Sequence, residues 1–170
     1  MNEVPDREPL REVLQGIASV RQLGKREDFD AALALARDLL DRFPGCAALW
    51  MLSGRLIQLA KNDDAPLDQI LQCFENAAAL APHDPECSIE QGYFLYAVQD
   101  RTEAGQEHFA AAATKARELL REALIGQLRC AVERGNREAS LEIIREADAI
   151  FPEDFDIQIL KDELASQIGK

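Results

Sequence analysis

The chain has 170 residues, 47% hydrophobic and 29% charged, which is enough apolar material for a packed core and too much for a disordered chain. Nineteen Lys and Arg against thirty-one Asp and Glu leave a formal net charge of −12, which argues against a nucleic-acid binder, whose affinity rests on cationic neutralisation of phosphates. There is no polybasic segment for an anionic membrane surface, no apolar run of the ~18 residues a spanning helix needs, and no secretory apolar stretch in residues 1–9, so the expectation is a soluble, cytoplasmic protein with neither nucleic-acid nor membrane partners.

In chain order, residues 1–9 read as a flexible tail. A first helix is expected over 9–23, where Leu10, Val13, Ile17 and Val20 recur at spacings of three and four. A second, over 28–43, stops at Phe43-Pro44-Gly45, and a third spans 47–61 before the interruption Asn62-Asp63-Asp64-Ala65-Pro66. The fourth covers 67–80 and ends at Ala81-Pro82. The fifth, 85–98, opens on a proline, tolerated in a first turn because its missing N–H has no partner there anyway. Helices over 102–114, 119–133, 137–150 and 154–168 bring the expected count to nine, with Gly135-Asn136 and Phe151-Pro152 as the last breaks. No segment alternates long enough to read as a strand.

The stops are regularly spaced. Pro44 and Pro82 are 38 residues apart, and Pro82 and Pro152 are 70 apart, twice 35. Helix pairs recurring at about 34 residues indicate a stacked array, since one short hairpin cannot bury its apolar face but several stacked ones can.

Within that spacing, Trp50-x2-Ser53-Gly54-x2-Ile57 is followed by Ile70-x3-Phe74, Ala77 and Pro82. The preceding second helix carries Ala32-x3-Ala36 and Pro44. The next unit reads Gly92-x2-Leu95, Ala104, His108 and Ala111, with Ala116 in place of the closing proline. The last reads Leu124, Leu128 and Ala131, then Ser140-x3-Ile144, Ala147 and Pro152. These residues resemble the tetratricopeptide repeat family, whose loose pattern is Trp-x2-Leu-Gly-x2-Tyr, Ala-x3-Phe and a terminal Pro. The best-matching unit departs from it by about four extra residues, 62–65, between its helices. The resemblance implies an all-α fold: a right-handed superhelical stack of about four hairpins (10–45, 46–82, 83–117, 118–152) with a capping helix over 153–168, one domain spanning 10–168. Gly54 and Gly92 then mark close helix crossings, with Trp50 and Phe74 filling the space beside them.

Little in the chain points to chemistry. Cys46, Cys73, Cys87 and Cys130 form no Cys-x-x-Cys and read as free thiols of a reducing compartment. His83 and Cys87, with Asp84 and Glu86, could in principle ligate zinc, but they supply no second cluster and read more simply as turn chemistry. His108 reads as a packed histidine. Nucleophile-elbow, phosphate-loop and His-Glu-x-x-His patterns are absent. The expectation is no metal, no cofactor and no enzymatic activity.

In the family, the first helices of successive repeats line the concave face. Helical spacing from Trp50 and Gly54 puts Ala48, Met51, Arg55, Gln58 and Leu59 on that stripe, then Glu86, Ile89, Tyr93, Tyr96 and Ala97 in the next repeat. Glu122, Ile125, Arg129, Val132 and Glu133 follow in the fourth, and Ile17 and Arg21 in the first. Met51, Arg55, Gln58, Ile89, Tyr93, Tyr96, Ile125 and Arg129 form the candidate groove, an apolar row beside a row of Arg and Tyr, as in protein interfaces. The alternative is that the arginines pair with Glu86, Glu122 or Glu133 and the apolar row packs between repeats. The Lys and Asn members of the family's carboxylate clamp are missing. The functional expectation is a non-enzymatic module (adaptor, scaffold or co-chaperone-like) that binds a partner protein or peptide segment. The alternative is an acidic chaperone or antitoxin-like inhibitor neutralising one basic partner.

Overall fold

The protein is described by a computed structural model over residues 8–61 and 65–168. The first seven residues of the expected tail and residues 62–64 of the expected insertion lie outside the described residues. Every element is helical: α1 Glu8–Lys25, α2 Phe29–Arg42, α3 Ala47–Ile57, α4 Leu67–Leu80, α5 Pro85–Tyr93 with a widened π turn Phe94–Val98, α6 Thr102–Glu133, α7 Arg137–Ile150 and α8 Phe155–Ile168. Glu8 and Pro9 belong to α1 and not to a tail.

α6 departs from the expected pattern. It runs unbroken for 32 residues where two helices, 102–114 and 119–133, are expected. The intervening Thr114-Lys115-Ala116-Arg117-Glu118 holds neither Pro nor Gly, and four of its five residues are strong helix formers. Propagation adds a hydrogen bond at every residue, and no residue of this stretch opposes it.

The helices gather into two compact units, one up to Ala113 and one from Thr114, where the sequence reading has a single domain. In the first unit, α1 packs on α2, α2 on α3, α3 on α4 and α4 on α5, with α1 also touching α3. The start of α6 closes a third hairpin against α5. Gly16, Gly54 and Gly92 recur every 38 residues and do one job: a Cβ there would come within 2.6 Å of Leu39, 2.6 Å of Phe74 and 2.8 Å of Phe109 respectively. Each glycine lets a side chain of the second helix lie directly on the backbone of the first. The second helices reciprocate with small residues, and Ala32, Ala36 and Ala77 are wholly buried. Leu33, Leu49, Phe74, Cys87 and Phe94 fill the rest of this core. The second unit has its own core, in which Leu124, Leu128 and Val132 of α6 meet Ala147 of α7 and Ile157, Leu160 and Leu164 of α8.

One joint is used three times. α2, α4 and α7 end at Phe43, Ala81 and Phe151, with φ/ψ of −129/59°, −132/69° and −132/65°. Each precedes a proline, which bars its neighbour from continuing the helix. Cys46, Asp84 and Asp154 then donate their N–H to the carbonyls of Phe43, Ala81 and Phe151 at 3.1, 3.1 and 3.3 Å. The indole of Trp50 ties α3 to the first joint by donating to the Pro44 carbonyl at 2.8 Å. Asp84 caps α5 by accepting from the Glu86 N–H, and Asp154 caps α8 by accepting from Asp156 and Ile157. Cys46, the equivalent residue before α3, makes no side-chain cap bond although its backbone is extended, as a cap requires. Cys46→Asp is therefore expected to stabilise the protein by about 1 kcal/mol, read as a rise in the denaturation midpoint; a lowered midpoint would contradict the equivalence of the joints.

Candidate binding clefts

Because the joints repeat, positions on α3, α5 and α8 can be matched by counting from Cys46, Asp84 and Asp154. Two residues on lie Ala48, Glu86 and Asp156; five on, Met51, Ile89 and Ile159; nine on, Arg55, Tyr93 and Glu163. Ala48, Met51, Arg55 and Glu86 line a cleft in the first unit, and Asp156, Ile159 and Glu163 line one in the second.

In the first unit a cleft of about 230 Å³ is lined by Arg21, Ala47, Ala48, Met51, Leu52, Arg55, Asp84, Glu86 and Cys87. Arg55 is already engaged, since its Nη2 donates to Glu86 Oε1 and Glu90 Oε1, both at 2.8 Å. Partial burial works against its charge, but the two carboxylates outweigh this and hold the guanidinium above its ordinary pKa. Arg21 is exposed and forms no ion pair with any described residue, unlike Arg55. Met51, expected as exposed groove surface, is 5% exposed and belongs to the core, offering the cleft only an edge. Ile89 is half-buried. Gln58 is exposed and turned back on its own helix, Nε2 donating to the Gly54 carbonyl at 3.1 Å. Tyr93 and Tyr96 are 58% and 53% exposed, and Tyr93 stands edge-on to Phe109 with ring centroids 4.9 Å apart. The structure thus brings Met51 and Arg55 together with Arg21, while Gln58, Ile89, Tyr93 and Tyr96 lie outside this cleft's lining.

In the second unit Ile125 is also core, packed among Leu124, Leu128 and the α8 leucines. Burial of Ile17, Met51 and Ile125 shows that the expected apolar row largely packs between helices. Arg129 is exposed and lines a separate cleft of about 280 Å³ with Val132, Glu133, Asp156, Ile159, Leu160 and Glu163. Nearby, Arg121 pairs with Asp154 and Asp156. Its hydrogen bond is the largest of the effects that hold the Asp154 carboxyl below the usual aspartate range, and the N–H groups of Ile157 and Asp156 add to it.

Glu90 as the second partner of Arg55, and Asp156, Ile159 and Glu163 as cleft residues, are not among the expected site residues. For the latter the signal is in the sequence: Pro152-Glu153-Asp154 before α8 repeats Pro82-His83-Asp84 before α5. Among the described residues no three His, Cys, Asp or Glu side chains are grouped so as to hold a metal ion, and His83 is exposed while Cys87 is buried. No described helix is long and apolar enough to cross a membrane.

No protein-family model matches the chain. It is 28% identical over 138 residues, 80% of each chain, to a Myxococcus xanthus protein described as an uncharacterized 18.1 kDa protein in the carS 3′ region.

Proposed function

We propose that this chain is a non-enzymatic protein–protein interaction module, a tetratricopeptide-like helical repeat that serves as an adaptor or co-chaperone-like scaffold and binds a partner segment on the face of its first helices. The observation that carries this reading is the first unit's cleft, where successive hairpins present Arg21, the Met51 edge and the Arg55–Glu86–Glu90 cluster on a preformed surface. A rigid surface of this kind binds without an ordering cost on its own side. Four cysteines, none of them in a disulfide, accord with a cytoplasmic setting. Because Arg55 is neutralised, the partner segment needs apolar and hydrogen-bonding groups more than a strong anion, with Arg21 offering one contact to an acidic group.

The test is retention of a partner from native lysate, first by the wild-type chain and then by Arg21→Glu/Ala48→Glu. Binding of the captured partner is expected to fall about ten-fold or more with helicity intact. Unchanged affinity would remove the cleft from consideration.

A second reading, an acidic chaperone or antitoxin-like inhibitor for one basic partner, is favoured by the net charge of −12 and by Glu133, Asp156 and Glu163 around the second cleft. It requires an association rate that falls steeply with salt, whereas the first reading requires only weak salt dependence.

A further inference from the structure

We infer that the second unit's cleft between α6 and α8 is a docking site for a basic segment of a partner protein, one that sets an apolar side chain on Val132, Ile159 and Leu160 and a Lys or Arg among Glu133, Asp156 and Glu163. This rests on the second reading above and locates its interface.

The shape comes from α8. Ile159 is 41% exposed, and Phe155, one turn earlier on the same helix, is 76% exposed, the highest value among the large apolar residues. A helix whose only task is to end an array in water has no use for that pair, and exposed apolar groups beside a cleft mark an interaction surface. Val132 and Leu160 are buried and give the cleft an apolar floor.

The charge selects the occupant. Three carboxylates and one guanidinium line the cleft. Asp156 is engaged by Arg121, but Glu133 and Glu163 form no ion pair with any described residue. A cation entering there meets two carboxylates with no ion-pair partner among the described residues, while an anion meets repulsion that Arg129 alone cannot offset. A second copy of this chain is a poor occupant, because two chains of net charge −12 repel. Stacking of a further hairpin on α8 is also disfavoured: Asp162 stands where Gly54 and Gly92 admit the second helix of a hairpin.

The probes are two synthetic peptides of about twelve residues, one alternating Leu and Lys and one alternating Leu and Glu, titrated against the full chain with isoleucine-methyl NMR and fluorescence anisotropy. The Lys peptide is expected to bind and move the Ile159 methyl signal, and the Glu peptide to leave it in place. Glu133→Lys/Glu163→Lys should weaken Lys-peptide binding about ten-fold or more, and Ile159→Ser several-fold. Asp38→Lys/Glu75→Lys makes the same charge change on exposed residues of the first unit and should lower affinity far less. Equal weakening by the two charge reversals, absence of Lys-peptide binding, or perturbation at Ile89 in place of Ile159 would each overturn the site. The last would do so while leaving the first unit's cleft, and the interaction-module reading, standing.

Discussion

Gly54→Leu is expected to destabilise the first unit by about 1–3 kcal/mol. A Cβ at position 54 would lie 2.6 Å from Phe74 Cε1 and 3.0 Å from its Cδ1 and Cζ, far inside van der Waals contact, and leucine adds three more carbons. The ring has no room to retreat. Phe74 is fully buried and stands edge-on to Phe94 with centroids 6.3 Å apart, so displacing it disturbs the contact with the next hairpin. Overpacking of this kind is relieved only by separating α3 from α4, at the expense of apolar burial. The control is Gly126→Ala in α6, where an added Cβ meets nothing within 4 Å; removing a mid-helix glycine there should stabilise by about 0.5–1 kcal/mol. Denaturation midpoints of the two variants should therefore move in opposite directions. A Gly54→Leu protein that unfolds like wild type would mean that Phe74 does not lie on the α3 backbone.

Ala116→Pro is the sharper test of the continuous α6, with an expected loss of about 3 kcal/mol. Proline at 116 removes the amide that bonds to the carbonyl four residues earlier and sets its ring against that carbonyl. Position 116 is also where a repeat of ordinary form would end in proline, so a chain that broke there would accept the substitution at almost no cost. Ala116 is exposed, and the effect is thus one of backbone and not of lost packing. Circular dichroism should show reduced helicity together with a lowered melting temperature. Wild-type values for both would restore the two-helix description of residues 102–133.

The fold class was legible because its determinants are local. Pro44, Pro82 and Pro152 stop helices by steric exclusion of the preceding residue, and Gly54 and Gly92 lie one crossing apart in a regular spacing. Gly16 carries the same function 38 residues before Gly54, and only the contact with Leu39 reveals it. The long α6 is not legible from spacing: the repeat interval points to a break at a stretch that holds neither Pro nor Gly to make one. The candidate site was legible in its stripes but not in its exposures. Helical counting placed Met51, Ile125, Arg55 and Arg129 on one face, yet whether a face is buried depends on the neighbouring helix. Met51 and Ile125 are covered, and Arg55 is claimed by Glu86, as the alternative reading has it, and also by Glu90 of α5. Such cross-helix pairing is a tertiary event about 30 residues away in sequence.

The thrice-used proline joint also bears on how such a chain can change in length. Phe43-Pro44, Ala81-Pro82 and Phe151-Pro152 deliver the backbone to the next helix on nearly one heading. A duplication or excision with both ends at equivalent joints, such as Cys46 and Asp84, replaces one heading by another almost identical to it. The glycine crossings then fall back into step, because they share the 38-residue interval between those two residues. A cut anywhere else leaves a helix without its partner and an apolar stripe in water. Growth and loss by whole hairpins is thus the path of least structural disruption, and the shared helix α6, which has no joint at its middle, is the place where that path is closed.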